Sequence, residues 1–191
     1  MSTARLIILV LAFLPFSAQA RTLSDVNLAE ELQINDESPV LSLNGASLRR
    51  TYMIVKTYVG GLYLEHPSQS DEEIIRSDEH KRMLFHVLLN KVTARKVARS
   101  LKEALVVNIN SEEQERLEPH INQFISMFEG KLHKNDEVNI DYIPGVGTKV
   151  TIAGEDKGTI PGKEFSDALL SVWLGKQPVS ENFKNDILGV N

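Results

Sequence analysis

The stretch from residue 138 to residue 160 alternates apolar and polar side chains around two short turns that contain glycine. The apolar members of this alternation are Val138, Ile140, Tyr142, Val150 and Ile152. A period of two indicates strands, and turns this short join neighbouring strands in antiparallel order. The stretch therefore predicts a meander of two or three antiparallel strands, which limits the fold to one built on an antiparallel sheet.

The same glycines raise the question of a phosphate-binding loop. The Walker pattern places a lysine directly after its last glycine, whereas Gly147 is followed by Thr148. The dinucleotide pattern that begins at Gly145 has Val150 in place of its third glycine. Neither nucleotide-binding pattern is present, and tight turns account for the glycines without a ligand.

The order of the other segments completes the fold class. Residues 44–65 and 81–90 are rich in β-formers, and Gly60-Gly61 indicates a bend, a bulge or a close approach. Helical spacing is predicted for the segments 70–78, 93–109, 111–128, 165–175 and 180–189. Strands followed by helices, a meander and further helices indicate an α+β fold with an antiparallel sheet.

Several helix ends can also be predicted. Ser70 and Ser180 are expected to cap the two short helices, and Ser111 with Gln114 suggests a capping box. Pro119 should kink or restart the third helix, because proline has no N–H to donate. Gly175 is predicted to end the fourth helix as a C′ residue.

The N-terminus has the pattern of a secretory signal sequence. A basic Arg5 precedes the apolar run 6–16, and Ala18-Gln19-Ala20 is typical of a cleavage site. The run is shorter than the ~20 residues of a membrane-spanning helix, and no later stretch is long and apolar enough to span. The sequence predicts export to the periplasm, with residues 21–38 as an extended lead-in to a single domain at 39–189.

Composition excludes several kinds of site. The chain has no cysteine, so it has neither disulfides nor a lipid-anchoring cysteine, and its five histidines lack metal-ligand spacing. The formal net charge is −5 and becomes −6 once Arg5 is removed with the signal, which argues against nucleic acid as the main partner. No metal or cofactor is expected. The basic residues Arg95, Lys96, Arg99 and Lys102 are interpreted as a solvated helix face, with membrane-surface contact as the alternative.

The segments 43–65, 92–105, 141–162 and 162–189 together resemble the chalcone isomerase-like family, especially its secreted bacterial branch. The resemblance implies an open-faced β-sandwich, in which helices cover an antiparallel sheet and leave a ligand cleft between the layers. Plant members of the family cyclise chalcones, and others bind fatty acids through an arginine and a tyrosine.

The resemblance also implies a set of site residues. The family arginine corresponds to Arg50, or to Arg49 if the gap is placed differently, and the late hydroxyl corresponds to Ser166. Tyr58 replaces a threonine, while Thr93 and Ser100 replace a tyrosine and an asparagine. The cyclisation site is therefore incomplete, which favours binding of a fatty acid or a similar small amphipathic anion over catalysis.

Two other functions remain open at this point. One is an isomerase or lyase with Arg50 as the electrophile and Tyr58 or Ser166 as the proton donor. The other is an interaction module of the cell envelope whose cleft is vestigial. The sequence leaves the oligomeric state open.

We expect the exported protein to begin at Arg21, because the signal pattern places the cleavage after Ala20. Sequencing the N-terminus of the protein purified from the periplasm checks this expectation. A soluble cytoplasmic species that still carries Met1 would contradict the assignment to the periplasm.

Overall fold

Strands and helices both contribute to the fold in the computed structural model, which describes residues 20–52 and 54–190. The strands are β1 (Ala20–Leu23), β2 (Val26–Ala29), β3 (Glu31–Gln33), β4 (Val40–Thr51), β5 (Val55–Leu64), β6 (Lys81–Val87), β7 (Lys91–Thr93), β8 (Lys131–His133), β9 (Glu137–Ile143), β10 (Gly147–Ile152) and β11 (Glu155–Pro161). The helices are α1 (Asp71–Arg76), α2 (Ala94–Val106), α3 (Ser111–Met127), α4 (Lys163–Leu174) and α5 (Glu181–Leu188). The predicted signal sequence, apart from Ala20, lies outside the described residues.

Seven of these strands form one antiparallel sheet with the order β11-β10-β9-β6-β5-β4-β3. The predicted meander is confirmed as β9, β10 and β11. Ala153 and Gly154 join the last two with φ angles of 50° and 81°, the pair of positive values that two-residue hairpin turns require. The predicted α+β class is confirmed.

The helix ends agree with the sequence patterns in part. Ser70 and Ser180 accept hydrogen bonds from the first turns of α1 and α5, as predicted. The predicted box of Ser111 with Gln114 is wrong by one residue, because Asn110 is the cap and forms the box with Glu113.

Two further helix predictions need correction. Of the kink or restart predicted at Pro119, the restart is wrong, because helix α3 runs unbroken from Ser111 to Met127 and buries Leu117 and Ile121 on either side of the proline. Helix α4 does end at Gly175, but the residue has an extended backbone rather than a left-handed one. Glycine is needed there for space, since a Cβ would lie 2.4 Å from Oδ1 of Asn108.

The sheet has a core on each face. The larger core lies between the sheet and the helices, and Trp173, Phe124 and Phe165 are fully buried in it. The hairpin of β1 and β2 covers the opposite face, where Val26 and Leu28 pack with side chains of β4, β5 and β6. Residues 21–38 thus contain short strands that cover one face of the sheet.

Helix α5 lies unusually close to β4 and β5. A Cβ on Gly45 would lie 2.3 Å from the carbonyl oxygen of Asp186, and a Cβ on Gly60 would lie 2.5 Å from the ring of Phe183. Gly60-Gly61 was predicted to mark a bend, a bulge or a close approach, and the structure shows a close approach. Within the described ranges no helix is long and apolar enough to cross a membrane.

We expect Gly45→Ala to destabilise the protein by about 1–3 kcal/mol, because the new methyl group would collide with backbone atoms that cannot rotate away. Gly61→Ala is the matched control, since its Cβ would meet only side-chain atoms, at 3.2 Å or more. Urea unfolding followed by circular dichroism measures both. Equal losses for the two variants would contradict the close approach of α5.

Candidate ligand-binding site

A cavity of about 580 Å³ lies between the sheet and the helices. Its size falls within the ~300–1,000 Å³ that is usual for small-molecule sites. Strands β4, β5, β6 and β9 form one wall, and α2 forms much of the other, with Trp173 added from α4. Most of the lining is apolar, including Phe85, Leu101, Phe128, Ile140 and Trp173.

Arg49 and Tyr58 are cross-strand neighbours on this wall. They are directly opposite each other in the pairing of β4 with β5, so both side chains lie on the same face of the sheet, and both line the cavity. The register shifts immediately afterwards, between Arg49 and Arg50. Nη1 of Arg49 donates a hydrogen bond to the carbonyl oxygen of Arg50, which holds the guanidinium near the end of the strand.

Tyr58 is fixed by aromatic neighbours and remains protonated. Its ring packs edge-on against Phe85 and Phe183, with centroids 5.2 and 5.6 Å away. Burial raises the pKa of its hydroxyl, and the hydrogen bond from Trp173 and the charge of Arg49 offset this only in part. Nε1 of Trp173 donates to the hydroxyl oxygen at 3.4 Å. No acceptor for the hydroxyl proton is found in the described part of the chain, so that proton can be donated to a ligand.

Helix α2 adds a second cation to the lining. Lys96 and Ser100 lie one turn apart on α2, and both contribute to the cavity. Arg49 and Lys96 are thus the charged residues of the lining, which includes no aspartate or glutamate among residues 20–52 and 54–190. An apolar cavity with two cations and a neutral hydroxyl suits an amphipathic anion.

The structure brings together only some of the residues predicted for the site. Tyr58, Ser100 and Arg49 line the cavity. Arg50, the preferred of the two arginines, is exposed and does not contribute to the lining. The reason is strand alternation: neighbouring residues of β4 face opposite sides of the sheet, so only one of the two arginines can face the helices, and the pairing with Tyr58 makes it Arg49.

Thr93 and Ser166 also lie outside the cavity. Thr93 is exposed at the N-terminal end of α2. Ser166 is buried on α4 beside a void of about 10 Å³, which is too small for a ligand. These two positions therefore do not join Arg49 and Tyr58 in one site.

Lys96 and Trp173 are residues of the cavity that were not among the predicted site residues. Lys96 was assigned to a solvated helix face, although Val97 and Leu101 on the same helix also line the cavity. Its position one turn before Ser100 was the available signal. Trp173 lies within the predicted helix 165–175, and no pattern in the sequence indicates that its ring reaches Tyr58.

Comparison with known proteins identifies this architecture. The sequence matches the model of the chalcone isomerase-like family over residues 20–189. The chain belongs to the chalcone isomerase-like family. The match includes the hairpin of β1 and β2, so the family resemblance extends to both faces of the sheet.

A solved structure shows the same chalcone isomerase-like fold. It is the crystal structure of a fatty-acid binding protein from Arabidopsis thaliana, with a TM-score of 0.69 and 16% sequence identity. The alignment covers 89% of this chain and 96% of the plant protein. No curated protein matches the sequence. The open-faced sandwich implied by the sequence resemblance is therefore confirmed.

Near Ser166, this member of the chalcone isomerase-like family buries a lysine. Nζ of Lys81 donates to the carbonyl oxygen of Ser77 and lies 4.9 Å from the ring centre of Tyr142. Burial and, to a smaller extent, the charge of Lys163 together lower the pKa of Lys81 to about 8. Asp167 opposes this shift only in part. The cluster joins β6 to α1 and α4, which indicates a role in stability.

We expect the Lys81 ammonium to make stability depend on pH between about 8 and 9.5. Its pKa is lower in the folded protein than the ordinary value of 10.5, so the unfolded state binds more protons in this range. The contribution of Lys81 to the free energy of unfolding therefore increases with pH, by at most about 1.4 kcal/mol per unit. Urea unfolding at pH 7.5, 8.5 and 9.5 measures it.

Lys81→Met should remove this slope, whereas Lys149→Met on the partly exposed strand β10 should retain it. The comparison with wild type cancels contributions from groups that both proteins share. Equal slopes for wild type and Lys81→Met would show that the buried ammonium is not the cause.

Proposed function

We propose that this protein binds one fatty acid, or a similar small amphipathic anion, in the cavity between the sheet and the helices. The carboxylate pairs with Arg49 and accepts a hydrogen bond from the hydroxyl of Tyr58, and Lys96 approaches it from α2. The alkyl chain lies along the apolar wall beside Phe85, Ile140 and other side chains of the lining.

The observation that carries this proposal is the distribution of charge in the cavity. Two cations and a neutral tyrosine line an otherwise apolar space, with no carboxylate among the described lining residues. A guanidinium beside an apolar cavity gains most from an anion that can accept two parallel hydrogen bonds. The apolar lining would stabilise a hydrocarbon chain attached to that anion, because burying apolar surface is favourable.

The description of the plant protein with the same fold supports the proposed ligand. It is described as a fatty-acid binding protein and covers nearly the whole of this chain. At 16% identity the likeness concerns the fold, so the ligand is proposed from the cavity itself.

An isomerase or lyase remains the second candidate because Tyr58 is a neutral acid beside a guanidinium. Such a pair can stabilise a phenolate and supply a proton. Ser166 cannot contribute, since it is buried outside the cavity. We propose binding without turnover, because Thr93 and Ser166, which correspond to site residues of the cyclising enzymes, both lie outside the cavity.

We also propose that the protein acts in the periplasm after removal of residues 1–20. The support is the signal pattern at the N-terminus. A carrier of amphipathic anions in the periplasm would use the cavity to hold its ligand.

We expect Arg49→Gln to weaken the binding of dodecanoate about tenfold. A hydrogen bond to a charged group contributes ~1.5–3 kcal/mol, and the partial exposure of Arg49 places it at the low end. Tyr58→Phe should cost less, since it removes a neutral donor. Arg50→Gln is the matched control, which removes the same charge from the next residue and should change affinity by less than about twofold. Isothermal titration calorimetry measures all four proteins.

The methyl ester of dodecanoic acid distinguishes the contribution of the anion contact to affinity from the contribution of the alkyl chain. Wild type should bind the ester more weakly than dodecanoate, whereas Arg49→Gln should bind the two with similar affinity. Equal dodecanoate affinities for wild type, Arg49→Gln and Arg50→Gln would refute the anion contact. Loss of chalcone absorbance with wild type, but not with Arg49→Gln, would instead support the isomerase.

A further inference from the structure

The turn between β4 and β5 exposes apolar side chains to solvent. Tyr52 and Ile54 are 87% and 82% exposed, and Val55 beside them is 42% exposed. Isolated apolar residues on a surface are ordinary, but several together at the tip of one turn indicate a contact surface. We call Tyr52, Ile54 and Val55 the apolar tip.

The apolar tip lies beside the entrance of the cavity. Tyr52 and Val55 belong to the lining, together with Thr51 and Arg49 from the same end of β4. Lys96 and Ser100, which are exposed on α2, also line the cavity. A surface that contacts the apolar tip would therefore also contact the entrance through which a ligand passes.

Basic residues are concentrated in the two chain segments that supply the apolar tip and the α2 side of the cavity. Residues 44–64 and 89–102 contain no aspartate or glutamate, although the whole chain has a net charge of −5. Their basic residues are Arg49, Arg50, Lys56, Lys91, Arg95, Lys96, Arg99 and Lys102. Arg50 and Lys56 are directly paired across β4 and β5 at the base of the tip, where like charges repel.

These basic residues also lack acidic partners. Within residues 20–52 and 54–190, none of the eight forms an ion pair with a carboxylate. Elsewhere the ion-paired basic residues include Arg82 with Asp141 and Lys184 with Asp71. The positive charges of Arg50 and Lys56 at the base of the tip, and of Lys96 in the lining, are therefore available to an external anionic surface.

We propose that the apolar tip and the basic residues around it dock on the surface of an anionic phospholipid bilayer. The tip inserts among the lipid headgroups, and the cations contact the phosphates. A second copy of this chain would bring the same positive charges to the contact and would be repelled. The purpose of docking rests on the proposed function, since a fatty acid could then pass between bilayer and cavity without crossing bulk water.

Flotation of the ligand-free protein with vesicles tests the docking. Wild type should bind vesicles of phosphatidylcholine with 30 mol % phosphatidylglycerol, about tenfold more tightly than vesicles of phosphatidylcholine alone. Raising the salt to about 0.5 M should remove most of that preference, because exposed charges are screened. Equal binding to the two kinds of vesicle, or no binding to either, would overturn the proposal.

Matched variants locate the contact. Ile54→Ser should weaken binding about five- to tenfold by removing buried apolar area. Val146→Ser is its control, because Val146 is 50% exposed in the turn after β9, at the opposite end of the sheet. Arg50→Gln with Lys56→Gln should weaken binding about tenfold. Lys149→Gln with Lys157→Gln removes the same charge from β10 and β11 and should have little effect. Equal losses in a variant and its control would mean that the binding is non-specific.

Calorimetry with dodecanoate separates this proposal from the proposed function. Ile54→Ser should retain wild-type affinity for dodecanoate while transferring it more slowly to anionic vesicles. Vesicle binding by a wild type that does not bind dodecanoate would leave the docking intact and refute the carrier function. Binding of dodecanoate by a wild type that does not bind vesicles would refute the docking and leave the proposed function intact.

Discussion

The register between β4 and β5 decides the chemistry of the cavity. Side chains on a strand alternate between the two faces of a sheet, so a shift by one residue exchanges the residues that face the helices. Arg49 is opposite Tyr58, and the shift that follows leaves Arg50 opposite Lys56 instead. One arginine thus joins the cavity, and the next remains at the surface beside a lysine.

Aromatic packing then holds the partner of Arg49 in place. Tyr58 is fixed by two edge-on rings and by the indole of Trp173, which come from three different elements. Helix α5 can supply Phe183 to this group because Gly60 leaves room for its ring. A hydroxyl that is held before the ligand arrives costs less conformational entropy on binding.

Local patterns were sufficient to predict much of the architecture. The strands of the meander and the caps at Ser70 and Ser180 follow from neighbouring residues alone. The hairpin of β1 and β2 was less visible, because only Val26 and Leu28 mark its buried side in a polar stretch.

The site was harder to predict because its residues are brought together by pairing and packing. No pattern around Arg49 and Arg50 indicates which of the two faces the helices, since that is set by how β4 pairs with β5. Lys96 resembles its solvated neighbours in sequence, and only the position of α2 over the sheet brings it to the cavity. Ser166 was assigned by resemblance, but α4 buries it in the core instead.

The place of Trp173 gives the cavity its own optical reporter. The chain contains a single tryptophan, and that residue lines the cavity with its ring 5.0 Å from Phe85. The emission of an indole depends on the polarity around it, and a hydrocarbon chain in the cavity would replace water near this ring. Intrinsic fluorescence of the unmodified protein therefore reports on the interior of one cavity, free of signal from any other tryptophan.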